Sequence, residues 1–253
     1  MSTDELLTKP AGVLIKTTLV DFPGRVAATY FLRGCNLRCP YCYNAELVIG
    51  TPLLNEAQNK ADFVSPVQVL EHLFKRKNVI EGLVISGGEP LLNPVTPELI
   101  KRAKSLGAKI KLDTNGTLPL ILKKIMDDPL TRPDFIAMDI KTSPERYKND
   151  IHLTSNFESA DIKGLLTESI KIAQVLGKEN YEIRTVLVPG LVTKEDIKNM
   201  ASLLPNDATW RFAQFRNENC LDPSYNNITP YTDAQLTELV EYAKTFVSDS
   251  ELR

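Results

Sequence analysis

The chain has 253 residues, 43% of them hydrophobic and 25% charged, with a formal net charge of −2. That length fits one or two domains with a sizeable core. The near-neutral charge excludes a protein whose main task is gripping nucleic acid phosphates, and no apolar run reaches the roughly 18 residues of a membrane helix. The opening stretch MSTDELLTKP has no basic segment followed by an apolar one, which points to the cytoplasm.

In chain order, residues 1–24 read as a loop or appendage ending at the turn signal Pro23-Gly24. Strands are predicted at 26–32, 82–86, 109–113, 135–139, 181–187 and 209–215. Helical patterns fill the gaps. Ser65, Pro66 and Gln68 place a cap, a first-turn proline and a capping-box partner before Val69, Leu73 and Phe74. Thr117 precedes the stripe Leu118, Ile121, Leu122 and Ile125. A third stripe runs from Ile162 to Leu176, a fourth follows Thr193, and a fifth follows Thr232 and Gln235. Residues 43–64 and 217–231 read as loops. Strand–helix alternation favours parallel strands with right-handed crossovers, in either an open sheet or a partial barrel. No repeat or linker interrupts the chain, so it reads as a single domain spanning 1–253.

The unusual polar residues cluster at the C-terminal ends of the predicted strands. Cys35, Cys39 and Cys42 follow the first strand, Gly87-Gly88-Glu89 the second, and Asp113 the third. Asp139 and Lys141 end the fourth, and Gln214 ends the sixth. In parallel α/β folds ligands bind at that edge.

The three clustered cysteines are spaced C-x3-C-x2-C, and Cys220 stands far away. A disulfide framework does not suit an odd cluster of thiols in a large chain. A zinc site needs four ligands, and neither His72 nor His152 has zinc-finger spacing to the loop. Three thiolates can hold three irons of a 4Fe–4S cube and leave the fourth open to a substrate. A fourth thiol would close that iron, so Cys220 reads as structural.

This spacing, with Tyr41 before the last cysteine and Gly87-Gly88-Glu89-Pro90 closing the next strand, resembles the radical S-adenosylmethionine superfamily. The resemblance implies a partial (β/α)6 barrel, one 4Fe–4S cluster on Cys35, Cys39 and Cys42, and S-adenosyl-L-methionine chelated to the open iron. It places Gly87, Gly88 and Glu89 by the methionyl amine. Asp113-Thr114-Asn115-Gly116 and the pair Asp139 and Lys141 resemble the glycyl-radical-enzyme activases within that superfamily. By that likeness Asp113 and Lys141 hold the cofactor, and Asp113, Thr114 and Asp139 ligate a monovalent cation beside it. The plainer readings are a helix cap for Asp113 and a solvated loop lysine for Lys141. The segment from Arg184 to Gly190 also matches the activases; Arg184 either contacts the cofactor or bridges to Glu182, Asp21 or Asp139. Tyr41 packs on cluster or adenine, or is a core aromatic. Asn44 and Gln214 complete the implied cofactor set.

Thr17 to Gly24 (TTLVDFPG) resembles an activase segment that lies near the partner's glycine loop, which makes Asp21 a candidate peptide contact. Tyr43 stands where those relatives carry histidine. With Tyr43-Asn44-Ala45-Glu46-Leu47-Val48, the segment most resembles the activating proteins of anaerobic ribonucleoside-triphosphate reductases. The likeness covers about 12–216, with a helical extension over 217–253. It implies reductive cleavage of S-adenosylmethionine to a 5′-deoxyadenosyl radical, which takes hydrogen from a partner's glycine. Flavodoxin or ferredoxin would supply the electron. The rival readings are a radical enzyme acting on a small heterocycle and a non-catalytic iron–sulfur electron carrier. The carrier would leave the glycine, D-T-N-G and D-x-K motifs without purpose.

Overall fold

The computed structural model describes residues 3–48, 63–154 and 160–253. They form an α/β fold with a mostly parallel sheet, and they group into two compact units.

The first unit holds residues 1–35, 46–114 and 120–136. Its strands β1 (Gly12–Thr18), β2 (Ala27–Leu32), β3 (Gly82–Gly87) and β4 (Lys109–Thr114) lie side by side in chain order. β2, β3 and β4 are parallel, with Leu32 opposite Gly87 and Ile85 opposite Leu112. β1 runs antiparallel to β2. Residues 1–24 therefore hold more than a loop: a short helix α1 (Thr3–Thr8) precedes this added edge strand. β1 escaped prediction because Ile15, Lys16 and Thr17 are exposed in succession, which breaks the apolar–polar alternation. A four-residue helix α2 (Ala45–Val48) follows the cysteine loop. Most of the 43–64 stretch predicted as a loop lies outside the described residues.

Helix α3 (Pro66–Lys75) starts as predicted, with Ser65 and Gln68 forming a reciprocal capping box. It buries Val69 and Leu73, while Phe74 is exposed. Each buried aliphatic side chain contributes roughly 1.5–3 kcal/mol relative to exposure. Helix α4 (Thr96–Ser105) was not predicted, although Leu99, Ile100 and Ala103 are buried. Its charged residues Glu98, Lys101, Arg102 and Lys104 mask the short apolar stripe. The greater part of helix α5 (Pro119–Asp127) belongs to this unit and buries Leu122, Ile125 and Met126.

The second unit holds residues 36–45, 115–119 and 137–253. β5 (Phe135–Asp139) begins in the first unit and ends here. Beyond its end, Ile140 donates its amide to the Arg184 carbonyl of β6 (Tyr181–Leu187) at 3.0 Å. β6 pairs in parallel with β7 (Thr209–Gln214), and β7 with β8 (Asp249–Leu252). The expected extension over 217–253 is thus helical only in part. Helix α8 (Asp233–Lys244) opens at Thr232 and Gln235 as predicted, where the two form a capping box, and leads into β8. Helices α6 (Ile162–Gln174) and α7 (Lys194–Ala201) bury the predicted stripes. Trp210 and Phe212 of β7 fill this unit's core, and the Trp210 indole donates to the Thr185 hydroxyl at 3.0 Å. Among the described residues no helix is long and apolar enough to cross a membrane.

Candidate functional site

In the first unit, β2 delivers Gly34 and Cys35 to the same edge at which β3 delivers Gly87, Gly88 and Glu89. The Gly88 amide donates to the Leu32 carbonyl at 2.9 Å, and the Glu89 amide to the Gly34 carbonyl at 2.7 Å. Glycine is required at both positions. Gly87 has φ +119°, and a Cβ there would strike the Leu32 backbone; a Cβ on Gly88 would strike the Gly34 carbonyl.

Glu89 is fully buried. Its carboxylate accepts from the Thr114 hydroxyl at 2.9 Å and caps the following turn through the Leu91 amide at 3.1 Å. Asp113 lies at the end of β4, nearly buried. One oxygen meets the Lys111 ammonium at 2.5 Å, and the other accepts from the Ser86 hydroxyl at 2.9 Å. Asp113 therefore bonds across strands and to its own strand neighbour. Asp21 is half-buried in the loop between β1 and β2 and accepts from the Thr29 hydroxyl at 2.6 Å.

The second unit carries the rest of the cysteine loop. Asn36 is fully buried. Its amide donates to the Thr117 hydroxyl at 2.7 Å, and its carbonyl accepts from Asn115 at 2.9 Å. The Asn115 carbonyl accepts in turn from the Thr117 amide at 3.0 Å. Residues 36–38 are also tied to the 151–154 segment, through the Arg38 amide to the His152 carbonyl and the Thr154 amide to the Asn36 carbonyl. A third brace comes from the C-terminal side. The Leu221 amide donates to the Cys42 carbonyl and the Asp222 amide to the Pro40 carbonyl, each at 2.9 Å. Cys220 sits in this strap, buried, with its thiol toward the Arg216 carbonyl at 3.7 Å. Burial first, then the neighbouring Cys42, pushes the Cys220 thiol up from its ordinary pKa.

Tyr41 is buried edge-on against Phe215, and its hydroxyl has no hydrogen-bond partner among the described residues. Burial and the facing Cys39 push its phenol well above the usual range, so it stays a donor. An unpaired buried hydroxyl costs about 1–3 kcal/mol. A bound molecule offering an acceptor there relieves that cost.

At the end of β5, Asp139 takes the Arg184 guanidinium on one oxygen at 2.7 Å and the Lys141 ammonium on the other at 2.9 Å. Of the three partners offered for Arg184 by the sequence, the structure selects Asp139. Glu182 pairs instead with Arg253. Burial works to raise the Asp139 carboxyl, but the two cations outweigh it and hold it well below the carboxylate range. Burial likewise works to lower Lys141, and Asp139 outweighs it, holding the ammonium above its ordinary value. The Lys141 amide donates to the buried Tyr147 hydroxyl at 2.8 Å. Tyr147 opens a single turn of π-helix (Tyr147–Ile151), which fixes the loop after Lys141. Asn44 is half-exposed and Tyr43 exposed. Gln214 is exposed and donates its amide to the Tyr231 carbonyl at 3.1 Å.

Cys35, Gly87, Gly88, Glu89, Asp113, Thr114 and Asp21 thus fall in the first unit. Cys39, Tyr41, Cys42, Asn44, Asp139, Lys141, Arg184 and Gln214 fall in the second. Sequence reading missed Lys111, Asn36, Asn115, Thr117 and Tyr147. Lys111 was legible as the same-face neighbour of Asp113 two positions away on a strand. Tyr147 gave no signal.

The donor chemistry fits an iron–sulfur cube. Among the described residues none of the four cysteines forms a disulfide, and no three His, Cys, Asp or Glu side chains converge to hold a single ion. Three thiols of one loop are the donor set that a cube with one open iron takes. Both carboxylates expected to ligate a monovalent cation face cations of the chain, Asp113 facing Lys111 and Asp139 facing Lys141 and Arg184.

The description "Radical SAM superfamily" matches residues 29–204. A Methanocaldococcus jannaschii protein named as a glycyl-radical enzyme activating enzyme is 28% identical over 246 residues, covering 95% of this chain and 94% of its own. The pyruvate formate-lyase-activating enzyme of Staphylococcus epidermidis is 30% identical over 73% of this chain and 71% of its own. Among solved structures, QueE from Escherichia coli superposes with a TM-score of 0.55 at 14% identity, covering 100% of this chain and 97% of QueE.

Proposed function

The chain belongs to the radical SAM superfamily, and from that premise we propose that it is an activating enzyme for a glycyl-radical enzyme, with an anaerobic ribonucleoside-triphosphate reductase as partner. The observation that carries the reading is the likeness, over nearly the whole chain, to a protein named as such an activating enzyme. The choice of reductase rests on the TTLVDFPG and YNAELV segments flanking β2 and the cysteines.

Cys35, Cys39 and Cys42 would hold one 4Fe–4S cluster and leave an iron for the methionyl end of S-adenosyl-L-methionine. When bound, the reduced cluster supplies the electron whose transfer cleaves the carbon–sulfur bond of S-adenosylmethionine. The chain's own residues position that cofactor. The Gly87-Gly88 backbone permits a close approach, and Glu89 braces it through Thr114 and Leu91. Asp113 presents a carboxylate held by Lys111 and Ser86, and Lys141 an ammonium for a carboxylate. Arg184 orients Asp139, and Asp139 orients Lys141. Tyr41 supplies a buried donor, with Asn44 and Gln214 completing the set. Asp21 contacts the partner's glycine loop. The electron comes from a flavodoxin or ferredoxin, in the reducing cytoplasm.

The test is anaerobic reconstitution of the cluster, followed by dithionite and S-adenosylmethionine. The reading requires 5′-deoxyadenosine and methionine from the wild-type protein and none from Cys39→Ala. An intact cluster that yields no 5′-deoxyadenosine contradicts it.

A further inference from the structure

We propose that Lys111 stands in for a monovalent cation at Asp113, so that this protein holds its cofactor without sodium or potassium. The inference deepens the proposed function and rests on it. Lys111 is only 1% exposed, and its ammonium meets Asp113 at 2.5 Å. The two side chains share one face of β4, two residues apart. A buried ammonium cannot give up its carboxylate without leaving an uncompensated charge. A bare cation at Asp113 would add a full positive charge beside that ammonium, where desolvation makes repulsion strong. The methionyl end of S-adenosylmethionine carries an amine together with a carboxylate and adds far less net charge.

The second carboxylate of the expected cation set is no more available. Arg184 and Lys141 occupy one oxygen each of Asp139. Hard cations need several oxygen ligands not already matched by positive charge. In the first unit Lys111 faces Asp113, and in the second Lys141 and Arg184 face Asp139, so at each carboxylate the chain supplies the charge that an ion would bring.

The test is S-adenosylmethionine binding by the reconstituted protein, measured calorimetrically in potassium, sodium and choline chloride at equal ionic strength. The thermal midpoint is recorded beside it. Wild-type protein should show one affinity and one midpoint in all three salts. Lys111→Met keeps the apolar stem and removes the ammonium. It should bind S-adenosylmethionine about tenfold more tightly in potassium or sodium than in choline, an ordinary coupling between sites. Lys111→Arg keeps the charge and should remain salt-independent. A wild-type affinity or midpoint that falls when choline replaces potassium overturns the inference. So does a Lys111→Met affinity indifferent to the salt. Should Lys111→Met fail to fold, the wild-type and Lys111→Arg comparisons decide. The midpoints need no radical chemistry, so a failure of this inference is distinguishable from a failure of the proposed function.

Discussion

The Asn115 side chain donates to the side-chain oxygen of Asn36 at 2.9 Å, joining the turn after β4 to the residue that follows the first cysteine. Both side chains are buried, and Thr117 closes the network. Such a network specifies one loop geometry only while every member is satisfied.

Asn36→Ala should therefore strand the polar groups of Asn115 and Thr117. The expected loss is about 1–3 kcal/mol of unfolding free energy, read by urea denaturation. Iron retained after reconstitution should fall with it. Unchanged stability and unchanged iron would show that the network does not set the loop.

Asp139→Asn tests the paired cations. The native carboxyl is held below its ordinary value, so its contribution is present above the unfolded pKa of about 3.9 and is lost as the pH falls further. Lys141 is held above its ordinary value, so its contribution persists up to about pH 10 and is lost beyond. The stability difference between wild type and Asp139→Asn should be flat, at about 2 kcal/mol, from near pH 5 to pH 9. It should shrink below pH 4. A difference independent of pH down to pH 2 would mean that the pair does not operate in solution.

Gly87→Ala and Gly88→Ala should each destabilise the first unit, Gly87→Ala more. Gly87 combines a left-handed φ with backbone contact on Leu32, whereas Gly88 has only the close approach to Gly34. Strain of that kind costs about 1–3 kcal/mol. Denaturation midpoints in the order wild type, Gly88→Ala, Gly87→Ala are expected.

Cys220→Ser should keep the full iron content, because Cys220 belongs to the strap over Cys42 and not to the proposed ligand set. Cys35→Ser should lose iron. Equal iron loss in both variants would assign Cys220 to the cluster.

Much of this was legible in the sequence, for identifiable reasons. β2 through β7 are buried apolar runs with turn signals at their ends, and α3 and α8 announce themselves by capping boxes. β1 was hidden because three consecutive residues of this edge strand are exposed, and β8 because it has only four residues. α4 was hidden because its charges crowd a narrow apolar face. The polar residues of the site were legible by position at strand ends. Which partner each one takes was legible only where a same-face strand neighbour marks it, as Lys111 does for Asp113. Nothing local marks that Arg184 chooses Asp139 over Glu182, or that Tyr147 caps the Lys141 amide, since those choices depend on strand register and a turn of π-helix.

The most direct test of the account is an electron paramagnetic resonance spectrum of the reduced, reconstituted protein mixed with S-adenosylmethionine and the anaerobic ribonucleoside-triphosphate reductase of the same organism. The account requires a glycyl-radical doublet on the reductase that is absent with Cys39→Ala. A competent reductase that acquires no radical while 5′-deoxyadenosine accumulates would contradict it.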